Sequence, residues 1–146
     1  MLASPDPFVL SIRPVYIERI LAGIKTVELR RRFPKPDGRT DVLLYATSPV
    51  KAIVGHAVLE EVSQLSLSSL WKRFARAATV TREEFNRYFD GVDRGCALRL
   101  TQAQSLPEPL ALADLAKRFQ FSAPQSYCYW RQPLPVFSHG KLKVAS

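Results

Sequence analysis

The feature that most limits what this chain can fold into is an abrupt change of hydrophobic period between Ile17 and Phe33. Ile17, Ile20, Leu21 and Ile24 recur at i, i+3, i+4 and i+7, the spacing of one buried helical face. Pro14 precedes them, well placed for a first helical turn, and Gly23 suits a residue that stops a helix in the left-handed conformation. From Thr26 onward the period becomes two. Val27, Leu29 and Phe33 share one parity, while Thr26, Glu28, Arg30 and Arg32 share the other. This pattern predicts a half-buried strand with a polar second face carrying functional groups.

The rest of the chain continues in short pieces of both kinds. Phe8–Arg13 reads as a first strand, Pro34–Thr40 as an exposed loop, Asp41–Thr47 as a buried strand, and 52–62 as a longer one. Within that longer strand Gly55 permits a bulge or a close backbone approach. Ser66–Arg76 carries Leu67, Leu70, Trp71 and Phe74 on one helical face. Thr81-Arg82-Glu83-Glu84 has the form of a capping box opening a helix that ends before Gly91. A strand over 95–102, a turn bracketed by Pro107 and Pro109, and a helix over 113–119 follow. Pro124–Trp130 closes the compact part. No βα repeat is long enough for a doubly wound sheet, so the expected class is α+β, a small curled sheet or barrel decorated by helices. One domain spanning 1–146 is expected, compact over about 8–132, with a loosely held tail over about 135–146.

Charge narrows the partner. The formal net charge is +8. The fifteen residues from Lys25 to Arg39 hold six basic residues against Glu28 and Asp37, which is half of that surplus. Such a concentration points to a polyanion, since arginine grips phosphate with a planar fork and lysine supplies a point charge. Exposed ion pairs are worth only ~0–1 kcal/mol, so stability is a weak reason to gather these charges. Cys96 and Cys128 have no second cysteine at metal-ligand spacing, and His56 and His139 stand alone. No metal and no cofactor are expected, and the thiols read as reduced. Met1–Pro7 lacks a secretory pattern and no run approaches a membrane span, so a cytoplasmic chain without membrane contact is expected.

The run Gly23-x-Lys25-x-x-Glu28-x-Arg30, at a helix-to-strand junction, resembles the GxKxxExR signature of the ASCH (activating signal cointegrator homology) family, a branch of the PUA-like superfamily. Leu44–Pro49 and Pro124–Tyr127 also resemble segments of that family, over roughly Val9 to Trp130. The resemblance implies a PUA-like β-barrel with a cleft for RNA or a modified nucleobase beside the signature. Some members are similar to an amidohydrolase acting on acetylated cytidine, and ribonuclease activity is associated with others. The amidohydrolase pattern fits poorly: Lys25 matches its lysine, but Glu28 stands where its threonine is expected.

The candidate site therefore centres on Lys25 and Glu28, the candidate catalytic pair, with Thr26, Arg30 and Arg32 beside them. Tyr45, Thr47, Ser48, Ser126 and Tyr127 are candidate cleft walls. A lysine beside a carboxylate and an arginine could act as a base if its pKa were lowered, could stabilise a developing oxyanion, or could bind phosphate. Glu28 opposes any lowering of the lysine pKa, which favours binding. Tyr45, Trp71, Tyr127, Tyr129 and Trp130 could stack on a base, at ~1–3 kcal/mol per base. The leading expectation is an RNA- or nucleotide-binding domain. The alternatives are a metal-independent hydrolase acting on RNA or a modified nucleoside, and a regulator acting through a protein partner.

Overall fold

The structure, a computed structural model, describes residues 6–132, together with the backbone of 135–138 and 141–144. Six strands form one sheet: β1 (Phe8–Ile12), β2 (Val27–Arg30), β3 (Thr40–Ala46), β4 (Ala52–Ser66), β5 (Arg94–Ala111) and β6 (Tyr127–Tyr129), in the order β2-β5-β4-β3-β1-β6. Only β1 and β3 run parallel. Four helices decorate the sheet: α1 (Pro14–Leu21), α2 (Leu67–Ala78), α3 (Arg82–Tyr88) and α4 (Leu112–Phe119). The α+β class expected from the sequence is the class observed.

The helix-to-strand switch lies where the period changes. Pro14 opens α1, Ile17 and Ile20 are buried, and Gly23 takes φ +78° as the chain leaves the helix. All four residues of β2 are buried. Val27 and Leu29 pack under α2 and α3, with Leu70, Phe85 and Phe89. The opposite parity, Glu28 and Arg30, is buried as well, so the expected open polar face is an internal one. The strand ends at Arg30. Beyond it the alternation lapses, and Phe33 turns to Phe8 and Tyr127 instead, with ring centroids at 5.0 and 4.7 Å.

The long strands β4 and β5 pair with three register shifts, and the extra residues bend the ladder so that the sheet curls. In one of them Ile53 pairs with Leu110 and Gly55 with Ser105, leaving 106–109 without ladder partners. Pro107 and Pro109, expected to bracket a turn, sit in this bulge instead. A proline's missing N–H costs nothing there, so β5 continues to Ala111. Gly55 makes the close approach read from its sequence position: a Cβ would lie 2.7 Å from the Gln104 carbonyl oxygen.

Ser66 caps α2 and both hydrogen bonds of the capping box open α3. A second cluster (Val9, Leu43, Tyr45, Ile53, Leu115, Trp130) fills the outer face under α4. The segment expected to be a loose tail contains a two-stranded hairpin, β7 (Pro135–Ser138) with β8 (Lys141–Val144). Among the described residues no helix is long and apolar enough to cross a membrane, and no cluster of His, Cys, Asp and Glu could hold a metal ion.

Candidate functional site

A cleft of about 440 Å³ opens between the end of β1, the start of α1, β2, α3 and the segment before β6. Lys25, Glu28 and Arg30 lie along it and are almost inaccessible, at 2, 8 and 7% exposure. Glu28 sits between the two cations. Its Oε1 is 3.4 Å from the Lys25 Nζ and its Oε2 accepts from the Arg30 Nη2 at 2.8 Å. Ionised groups this deep persist only when paired and hydrogen-bonded, and each of the three is.

Backbone carbonyls and one hydroxyl supply further acceptors. Lys25 Nζ donates to the Ala78 carbonyl at 2.6 Å, which ties the cleft to the C-terminal end of α2. Arg30 Nη2 donates to the Ser11 carbonyl at 3.0 Å, while Nη1 donates to the carbonyl and hydroxyl oxygens of Ser126 at 3.1 and 3.0 Å. Arg30 thus stands on one edge strand of the curled sheet and reaches β1 and the lead into β6 at the other edge. The planar fork is what makes this bridge possible.

Burial holds the Lys25 ammonium below the usual lysine range, and Glu28 partly offsets that; Arg19 and Arg30 add smaller lowering effects. The Lys25 Nζ also lies 4.8 Å from the centre of the Tyr16 ring, whose hydroxyl donates to Glu84 Oε2 at 3.1 Å. Glu84 Oε1 accepts from the Thr81 amide, and these bonds hold the carboxyl below its ordinary range. One carboxylate therefore both starts α3 and fastens it to α1. Around the mouth stand Arg13, Arg87, Tyr88 and Gln125, all exposed. Tyr88 is 42% exposed as a residue, while burial of its hydroxyl pushes that group's pKa up, with Arg30 opposing the shift and Glu28 adding to it.

Of the residues singled out from sequence, the structure brings Lys25, Glu28, Arg30 and Ser126 together at the cleft. The others lie elsewhere. Thr26 is exposed ahead of β2 and Arg32 is exposed beyond it. Tyr45 is buried in the cluster under α4, and burial raises its phenol pKa. Thr47 and Ser48 occupy the turn between β3 and β4. Tyr127 packs edge-on to Phe8. Trp71 stands edge-on to Phe85, and Trp130 is buried against Phe119 and Phe121. Arg39 forms a forked pair with Glu60, so the basic stretch from Lys25 to Arg39 is divided between cleft and surface.

Sequence reasoning did not place Ser11, Arg13, Tyr16, Glu84, Arg87, Tyr88 and Gln125 in the cleft. A signal existed for three of them. The capping box sets the start of α3, and Glu84, Arg87 and Tyr88 follow at i, i+3 and i+4 on one face.

The sequence profile of the ASCH domain matches residues 10–104. An "ASCH domain-containing ribonuclease" of Zymomonas mobilis is 36% identical over 125 residues, 85% of this chain and 84% of that protein. The crystal structure of ASCH from Zymomonas mobilis superposes with a TM-score of 0.81 at 35% identity, covering 86% of this chain and 88% of that one. A shorter similarity, 33% over 73 residues, links half of this chain to 24% of the large ribosomal subunit protein uL22 of Ureaplasma parvum. With the domain match over residues 10–104 and these relatives, the chain belongs to the ASCH domain family and has its PUA-like fold.

Proposed function

We propose that this chain binds RNA by taking one nucleotide into the cleft beside Lys25. The observation that carries the proposal is a buried Lys25–Glu28–Arg30 network under a mouth lined by the exposed guanidinium groups of Arg13 and Arg87. The volume lies within the ~300–1,000 Å³ usual for sites of small ligands. Arg13, and Arg87 whose pair with Glu83 is exposed and exchangeable, suit the phosphate, whose contacts position a strand. The Ser126 hydroxyl, the Gln125 amide and the Tyr88 ring suit a base, modified or not. Arg30 has its donors engaged by Ser11, Ser126 and Glu28, and Arg32 is outside the cleft. The phosphate role expected for these two passes to Arg13 and Arg87.

The test is fluorescence-anisotropy binding of single-stranded RNA across a salt series. Affinity should fall as salt rises, and Arg13→Gln with Arg87→Gln should weaken binding and flatten that dependence. Salt-independent binding, or a double variant indistinguishable from wild type, would refute the proposal.

A second reading, cleavage of the bound RNA, is favoured by the name of the Zymomonas mobilis relative and by the depressed Lys25 pKa. In strand cleavage the neighbouring 2′-oxygen bonds to phosphorus as the bond to the 5′-oxygen breaks. That step needs an acceptor for the 2′-hydroxyl proton, a stabiliser of the charge on phosphorus and a proton, from the acid form of a side chain or from water, for the departing oxygen. Lys25 can serve either of the first two needs. Glu28, with both oxygens engaged, suits orienting the cations better than accepting a proton. No threonine lines the cleft, so the residues for an acetylcytidine amidohydrolase are not assembled. Cleavage should proceed with wild type and be lost in Lys25→Ala; RNA left intact by wild type would remove this reading.

A further inference from the structure

The outer face of α2 carries Lys72, Arg73 and Arg76, related as i, i+1 and i+4, so they form one ribbon along the helix. All three are exposed, and α2 contains no acidic residue. Among the described residues none of the three has a carboxylate within ion-pair distance. Other exposed arginines are paired, Arg39 with Glu60, Arg87 with Glu83 and Arg131 with Asp6 among them, while Arg31, Arg32 and Arg118 stand singly or in loops and form no such row along a helix. Arg76, in the last turn, gains from the negative end of the helix, an effect that fades within a turn. The Arg73 guanidinium lies 5.0 Å from the centre of the Phe74 ring, which occupies a face of the group but none of its donors.

The position of the helix links the ribbon to the cleft. The end of α2 is tied to the cleft: Lys25 donates to Ala78, Arg19 donates to Thr79, and Val80, two residues past the helix, lines the cavity. From there the twelve residues of α2 run back about 18 Å toward Asp93, whose carbonyl accepts from the Leu67 amide. A strand with one nucleotide in the cleft has further phosphates to place, and the basic ribbon lies on the helix whose last residue binds Lys25.

We propose that Lys72, Arg73 and Arg76 form a track for the phosphates of the RNA strand leaving the cleft, so that the chain binds several nucleotides and not one. This rests on the RNA reading of the cleft, and the experiment separates the two. Binding of uridine monophosphate and of an oligouridylate of about ten nucleotides is measured for wild type and for Lys72→Gln, Arg73→Gln and Arg76→Gln combined, over a salt series. Wild type should hold the oligonucleotide more tightly than the monophosphate. The triple variant should lose about tenfold of the oligonucleotide affinity, and its slope of log affinity against log salt should fall by about 2, near 0.7 for each phosphate contact on a single strand. Its monophosphate affinity should stay at the wild-type value, since only the cleft holds that probe.

Equal oligonucleotide affinity and slope in variant and wild type would overturn the track. So would a wild type that binds the monophosphate and the oligonucleotide alike, which leaves the cleft reading standing. A wild type that binds neither removes both. If the triple variant instead loses binding to phosphatidylserine vesicles while keeping its oligonucleotide affinity, the ribbon serves an anionic surface and the RNA assignment falls.

Discussion

Arg30 and Ser126 join the two edges of the curled sheet: Nη1 of Arg30 donates to the Ser126 carbonyl at 3.1 Å and to its hydroxyl at 3.0 Å. Among the described residues no ladder pairs β2 with β1 or β6, so backbone hydrogen bonds do not close the sheet there. A side chain closes it at the cleft, and the Phe8, Phe33 and Tyr127 rings close it beyond. The signature arginine is therefore both a wall of the cleft and a structural clasp.

The clasp should be visible in urea unfolding. Arg30→Lys keeps a charge but loses the fork, and should cost about 1–3 kcal/mol through lost charge-assisted hydrogen bonds. Arg30→Met leaves the buried Glu28 with Lys25 alone and should cost about 3–5 kcal/mol. Adding Glu28→Gln to Arg30→Met should recover part of that loss, because the stranded charge is gone. An Arg30→Met protein as stable as wild type would show that the clasp contributes nothing.

Gly55 offers a test independent of charge. A methyl group there would meet the Gln104 carbonyl oxygen at 2.7 Å and Leu21 Cδ2 at 2.9 Å. The first is backbone and cannot step aside without shifting the β4–β5 ladder. Gly55→Ala should cost about 1–3 kcal/mol, the usual range for overpacking. An unchanged denaturation midpoint would mean that the bulge yields more readily than its geometry implies.

What the sequence made legible follows from how local each signal is. Period, proline and capping residues act within a few positions, so α1, β2 and the start of α3 could be read directly from Ile17, Gly23 and the Thr81–Glu84 pair. The polar parity of β2 was also visible, but not its burial. Burial depends on Ser11 and Ser126 arriving from the far edge of the sheet, 19 and 96 positions away along the chain. Tyr16 and Glu84 meet across 68 positions for the same reason. Pro107 and Pro109 misled because a proline reads as a turn unless its partner strand is known to be absent, and that absence is set by the bulge opposite Gly55. Tyr45 looked like a wall of the cleft because it lies near a strand end, yet α4 covers it.

The capping box should matter to the cleft as well as to the helix, since α3 carries Glu84, Arg87 and Tyr88. Thr81→Ala removes the acceptor for the Glu84 amide at 3.1 Å and should cost about 1 kcal/mol. Because the Glu84 carboxyl is held below its usual 4.5, its contribution is present above that value and is lost as pH falls through the lowered one. Wild type should therefore lose stability on acidification more steeply than Glu84→Gln does. Parallel acid profiles for the two proteins would contradict this.

Lys25 makes the opposite prediction at the alkaline end, and it bears on mechanism. Its folded pKa is lowered by burial from the usual 10.5. Below the lowered value both folded and unfolded chains carry the proton, and the folded chain bears the whole cost of a buried ammonium. As pH rises through it the folded chain releases its proton first, while the unfolded chain still binds one, so stability gains with pH until about 10.5. The tyrosines oppose this trend, because burial raises Tyr16, Tyr45 and Tyr88 and an acid retained on folding loses stability as pH climbs. They cancel when wild type is compared with Lys25→Met, so the stability difference should move in favour of wild type as pH rises toward 10.5. If the neutral amine takes a proton during RNA cleavage, the cleavage rate should rise through the same window. If the ammonium only holds phosphate, binding should weaken there instead. A stability difference that is flat with pH would mean that Lys25 titrates at an ordinary value, and the basic role would then have no support.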